Sequence, residues 1–419
     1  MDNRSESQRD ANRTRGDRTQ DDNITVEPTF VLLFAVQLTS AFDGFRSSIP
    51  GITPLTSEHF RAYDARLAEL ERHVFGEDFV AAGRTKRWPL GRIAIDDDSH
   101  DVSLPPHADV YLVTHSTGTA VWEVWFTGPS QPLNALQWIG WLDPDTEDGL
   151  PTRIWRVLAP ANHTISGKPT YRGYFPLTII RAQQAPLETI LDKHGEDVVR
   201  LLLRSRSKQR FRPEVIRKEL AQNYCLQEGG LTLISRRSGL DLHGREDVEE
   251  KERGFLPLSS ALPFLIIIES LLIERTVLQQ LYERLSQAMP ATVEELLTLK
   301  QQILDGLEEY YGAITNANRI GDEVANAAEP LLGIDNLYHA VMTRLDAVSF
   351  AITTRYQKRM TVLQFWLTLV FGATELGFIA SGIATWYYRT ELSLVLAWTI
   401  GTAAVAAIII ASLLRGKLD

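Results

Sequence analysis

The sequence predicts an α+β protein: a cytosolic α/β domain, then a long helical stalk, then two C-terminal transmembrane helices. Three observations lead there. Segments of strand and helix composition alternate up to about residue 255. Beyond it strand signals vanish and apolar residues recur in steps of three and four, the spacing of one helix face. Finally, residues 360–388 and 392–414 each exceed the roughly 20 apolar residues that cross a bilayer core.

The elements follow in order. Residues 1–24 are polar and mixed in sign, with none of the apolar run a signal peptide needs. A disordered tail is expected there, with the large body after it in the cytoplasm. Residues 25–255 form the α/β domain. TFVLLFAVQL (29–38) and DVYLVTHSTGTAVWEVWFTG (109–128) have strand composition, the second folding as a hairpin at Thr-Gly-Thr. SEHFRAYDARLAELERHVFG (57–76) has helical spacing behind a serine cap. WRVLAPANHTIS, YRGYFPLTIIRAQ and GGLTLISRR are further strand candidates, and APLETILDKHGEDVVRLLLRS reads as one or two helices.

Residues 256–359 form a helical hairpin and stalk. LPFLIIIESLLIERTVLQQLYERLSQAM (262–289) is one helix, and a second follows Pro290. Ile334, Leu337, Val341, Leu345, Val348 and Ile352 then make a coiled-coil-like seam that runs into RYQKRMTVLQFWLTLVF without Pro or Gly. Residues 360–419 are the two-helix transmembrane domain. Phe365 and Trp366 at one end and Trp386, Tyr387 and Tyr388 at the other form interfacial belts. Arg355, Lys358 and Arg359 precede the first span and Arg415 and Lys417 follow the second, which predicts an inner or plasma-membrane protein with both termini cytoplasmic.

Glu375 is the one charged residue between Arg359 and Arg389, and an unpaired charge there costs several kcal/mol. Thr361, Gln364, Thr368, Gly372, Glu375 and Gly382 fall on helical spacing, broken by Ile379. Such a stripe suits a pore-lining helix, and several copies around an axis would be needed to enclose a pore. A ring of glutamates repels itself unless cations or protons neutralise it, which predicts cation binding. The alternative is a protonated carboxyl that ties two helices together. Gly401, Ala403, Ala404, Ala406 and Ala407 on the second span permit close packing against the first.

ALPFLIIIESLLIERTVLQQLYERL and RYQKRMTVLQFWLTLVFGATELGFIASG, with Met360, Val362 and Leu363 just before the span, resemble the CorA-like family of divalent-cation transporters. The resemblance covers about residues 255–419; before that it rests on domain order. Where the family carries Gly-Met-Asn at the outer end of the first span, this chain has Ser381-Gly382-Ile383-Ala384. The resemblance implies a homopentamer in a lipid bilayer that conducts a divalent metal ion, magnesium foremost, under control of its cytosolic domain. Arg355, Lys358 and Arg359 would form an electrostatic barrier at the cytosolic mouth. The alternative expectation is a membrane-anchored sensor or effector that does not transport.

Other constellations are weaker. Asp96, Asp97, Asp98 and Asp101 beside His100 offer the oxygens that hard cations prefer, either as a regulatory metal site or as a solvated acidic loop. DPDTED (143–148) has the same two readings. The basic run from Arg204 to Lys218 is either a surface for anionic lipid or nucleotide or the wet face of a helix. No enzyme is expected. NHTISGKPT matches a phosphate loop only at Gly167-Lys168, His107 and His115 share a strand face without a third ligand, and no G-x-S-x-G occurs. The net charge of -10 argues against a nucleic-acid partner. The lone Cys225 excludes an intramolecular disulfide framework.

Overall fold

A computed structural model describes residues 24–39, 52–53, 72, 85–95, 106–147, 149–182, 184–225, 229–245, 261–287, 294–295, 297–298, 301, 319–388 and 391–415. The chain divides into two compact units, Met1–Ser286 with Gln301–Val341, and Gln287–Lys300 with Met342–Asp419.

The first unit is built on a mixed sheet. Its strands are β1 (Thr25–Gln37), β2 (Thr85–Ala94), β3 (His107–His115), β4 (Thr119–Thr127), β5 (Gln131–Pro132), β6 (Gly173–Arg181), β7 (Gly230–Ile234) and β8 (Gly239–His243). They lie in the order β2-β3-β4-β1-β6-β8-β7, with β5 pairing β1 off that path. β6 and β8 run parallel and the other pairs antiparallel. The central strand β1 reads PTFVLLFAV, apolar at nearly every position, because both its faces are covered. Pro176 sits inside β6 opposite Leu32, and the pairing with β8 begins only at Leu177, so its missing N–H costs no ladder bond to β8.

One face of the sheet carries Phe30, Leu32, Phe34, Leu112, Trp122 and Val124. It packs against α1 (Ala135–Trp141), α2 (Leu150–Ser166) and α3 (Leu187–Leu203). The alternation of strand side chains puts Val31, Leu33, Val113, Glu123 and Trp125 on the other face. Helix α5 (Ala261–Gln287) covers it, with Phe264 against Gly239 and Leu177. Helices on both sides make a three-layer domain.

The strand expected in WRVLAPANHTIS is instead the body of α2. Pro151 stands in the first turn, and Ile154, Trp155, Leu158, Ala161 and Ile165 line one buried face at helical spacing. Pro160 lies inside the helix, where its missing N–H leaves out one intrahelical bond. Gly167 closes the helix in the left-handed conformation, φ 65°. The Asn162 amide then locks that end: it accepts from Trp122 Nε1 at 3.0 Å and donates to Ser166 Oγ at 2.9 Å and Lys168 O at 2.8 Å. β2 and β8, which lie outside the strand segments expected from the sequence, complete the sheet. β2 shifts register between Pro89 and Gly91, and Gly91 at φ 141° lets the Thr53 backbone approach.

Other described helices are α4 (Pro213–Leu220), α6 (Arg319–Leu332), α7 (Ile334–Tyr388) and α8 (Leu392–Arg415). Of the seam residues, Ile334, Val341, Leu345, Val348 and Ile352 are buried on α7, as their spacing predicts, and Leu337 is half-buried. α7 and α8 are long and apolar enough to cross a membrane. The helix expected over 57–76 lies, apart from Arg72, outside the described residues, as does most of the helix expected after Pro290.

Candidate functional site

The spans meet through small residues. On α7 the sheltered positions include Ala373, Gly377, Ala380 and Ala384, with Gly372 and Ser381 half-buried beside them, and on α8 they include Thr399, Ala403 and Ala406. At the centre, a Cβ built on Gly377 would lie 3.3 Å from Ala403 Cβ and 3.6 Å from Thr399 O. Glycine leaves room for the two helices to come this close.

That packing fixes the direction of every other α7 side chain. At 100° per residue, Glu375 projects from the side of α7 opposite Gly377 and Ala373. Thr361, Gln364, Thr368, Glu375 and Gly382 are all exposed, and Gly372 is half-buried. The structure therefore brings the polar stripe together on one face and points it away from α8. The Thr361 hydroxyl donates to Gln357 O at 2.9 Å, leaving its lone pairs free to accept or coordinate. Phe371 and Phe378 flank the stripe, 69% and 73% exposed, so the carboxylate stands in an apolar surround. Arg355, Lys358 and Arg359 are exposed on the same helix, about four to six turns before Glu375.

Comparison of the chain with protein-family models, curated proteins and solved structures finds no match in any of the three. The site must be read from its own geometry.

Within one chain, Glu375 is a single ligand, whereas a hard divalent ion takes six or more oxygens. Among the described residues no group of three His, Cys, Asp or Glu side chains is placed to hold a metal. Asp96, Asp97, Asp98 and Asp101 lie outside the described residues. Asp143 is a turn residue: its Oδ1 accepts the Asp145 N–H at 2.9 Å and its Oδ2 pairs with Arg206. His107 and His115 stand at opposite ends of β3, about 26 Å apart at the usual strand rise. Gly167-Lys168 follows the C-terminus of α2 rather than opening a helix, so it lacks the converging N–H groups of a phosphate loop. Lys168 borders a cleft of about 370 Å³ shared with Arg172. The Arg172 guanidinium is taken up there by Glu283 at 2.7 Å and Gln37 at 2.8 Å.

Sequence reasoning missed two buried acids on α5. Glu269 meets Arg87 on β2, and the same guanidinium holds Glu123 on β4 at 3.0 Å. Burial pushes the Glu269 carboxyl well above its ordinary range, against the pull of Arg87 and with the help of Glu123. Glu274 is pushed up to about 8, by burial first and then by Glu329 and Asp335. The signal was present in LPFLIIIESLLIERTVL, where two glutamates interrupt an otherwise apolar run.

Proposed function

We propose that this protein is an oligomeric membrane cation channel or transporter, CorA-like in organisation. Copies of α7 would surround a pore, with Glu375 and the Thr and Gln side chains of its stripe replacing part of an ion's hydration shell. The observation that carries this reading is the direction of the stripe. A carboxylate set among lipid-facing aromatics and turned away from its own partner helix is costly unless other copies or ions meet it. A divalent cation, magnesium foremost, suits carboxylate, hydroxyl and carbonyl oxygens. Arg355, Lys358 and Arg359 would raise an electrostatic barrier at the cytosolic end, lowered when the cytosolic domains rearrange. Fivefold assembly is tested by mass in detergent: an assembly near five times 47.2 kDa supports it, and a monomer or dimer removes the reason for the stripe.

The second reading is a membrane-anchored sensor or effector that does not transport. Ser381-Gly382-Ile383-Ala384 favours it, because this outer end lacks the asparagine that meets the hydrated ion in the family the chain resembles. Ion flux separates the two.

A further inference from the structure

The run RSRSKQRFR places a basic residue at every second position, Arg204 through Arg212. On a helix these would scatter around the axis, but residues 205–212 are neither helix nor strand, and α4 begins only at Pro213. The segment is pinned from below by Arg200, which is buried. Its guanidinium donates to Ser207 O and, at 3.1 Å, to Gln209 O, and stands 5.2 Å over the Phe211 ring. Glu196 holds the Phe211 N–H at 3.2 Å as well as Arg200 at 2.6 Å. Arg200 and Glu196 thus hold the backbone of an irregular segment whose residues from Arg206 to Arg210 are all exposed. Arg206, Lys208, Arg210 and Arg212 are all exposed, as are Arg217 and Lys218 on α4.

The fold adds cations from elsewhere in the chain. Arg237, in the β7–β8 turn, lies close enough to Arg204 to be felt by it, and Arg236 stands likewise near Arg275 of α5. All three of Arg236, Arg237 and Arg275 are exposed. Asp143 is taken by Arg206, Asp145 acts on Arg204, and Glu214 stands 3.9 Å from Arg217. From Arg204 to Lys218 there are seven basic residues and one acid, in a chain whose net charge is -10.

We propose that this pinned basic strap, with Arg236, Arg237 and Arg275 beside it, docks on an anionic lipid surface. It presents separated point charges along an exposed segment, which suits a diffuse array of headgroups. Its aromatic residue, Phe211, is covered by Arg200, which removes the stacking platform that single-stranded nucleic acid uses. Helices able to cross a membrane on the same chain keep such a surface at high effective concentration. Each basic side chain near an anionic leaflet strengthens docking about fivefold.

The test is acylation of lysines in the full chain, inserted into lipid nanodiscs of phosphatidylcholine alone or with about a third phosphatidylserine, read by mass spectrometry. Lys86, exposed on β2, is the internal reference. Lys208 should react about tenfold or more slowly in the anionic discs, with Lys86 unchanged, and 0.5 M salt should abolish the difference by screening. Arg210→Gln with Arg212→Gln should weaken docking roughly 25-fold, which returns Lys208 close to its rate in the neutral discs. Equal reactivity of Lys208 in both discs overturns the proposal. Protection by a soluble RNA but not by phosphatidylserine also overturns it, in favour of a nucleic-acid partner. Failure of the chain to enter the discs removes the anchor on which it rests.

Discussion

Arg87 holds the third layer of the first unit to its sheet. Its guanidinium reaches Glu123 at 3.0 Å and also contacts Glu269, and the two carboxylate side chains are 0% and 1% exposed. Burial pushes the Glu269 carboxyl well above its ordinary range, against the pull of Arg87, and the second acid, Glu123, also accepts the Trp125 indole N–H. Arg87→Met removes the cation that these two buried acids share. Breaking such a pair from one side costs about 3–5 kcal/mol. At about 2–4 °C per kcal/mol for a unit of this size, the melting midpoint should fall by roughly 6–20 °C. Tryptophan fluorescence of the full chain in detergent reads this directly, since Trp122 and Trp125 flank Glu123 on β4. Adding Glu123→Gln to Arg87→Met should restore much of the loss, and Glu269→Gln alone should shift the midpoint by a few degrees at most. An Arg87→Met midpoint within 2 °C of the wild type would refute the reasoning, as would a Glu269→Gln variant equally damaged.

Three further outcomes are expected. Glu274 has its folded pKa raised from 4.5 to about 8, so the folded state holds a proton that the unfolded chain has released. Its stabilising effect is present below about 4.5 and is lost as pH rises through about 8, by at most about 4–5 kcal/mol. Melting midpoints between pH 5 and 9 should decline for the wild type and flatten in Glu274→Gln; an unchanged slope contradicts this. Gly377→Leu forces a side chain into the space held by Ala403 and Thr399. It should destabilise the α7–α8 hairpin by about 1–3 kcal/mol, seen as a lower denaturant midpoint in detergent, whereas Gly382→Ala, with nothing within 4 Å, should leave it unchanged. Gly91→Ala places a Cβ 2.2 Å from Thr53 O at φ 141°, and a midpoint drop equivalent to about 1–3 kcal/mol is expected; a wild-type midpoint would show that the bulge relaxes freely.

The elements that sequence disclosed most readily are those whose burial is one-sided or complete over a long run. β1, the β3–β4 hairpin, α5 and the seam of α7 carry periodic or continuous apolar patterns that no other packing satisfies. α2 was concealed because Pro160 and short polar residues in APANHTIS imitate a punctuated strand, and only the capping glycine and the Asn162 network settle it as a helix. β2 was concealed because Lys86, Arg87 and Arg92 interrupt it; Arg87 is charged yet faces the interior, with its partners 36 and 182 residues away. The polar stripe was legible because helical spacing alone assigns residues to a face. Its direction relative to α8 was not, since that depends on Gly377 finding Ala403. The anchoring of the strap rests on Arg200 and Glu196 holding its backbone, contacts that charge counting does not reveal.

The most direct test of the pore is ion flux into liposomes containing the assembled protein, wild type against Glu375→Gln, with magnesium and other divalent cations. The account predicts a wild-type flux that Glu375→Gln reduces by at least tenfold while the assembly keeps its mass. No flux through a correctly assembled wild-type oligomer, or an undiminished flux through Glu375→Gln, contradicts it.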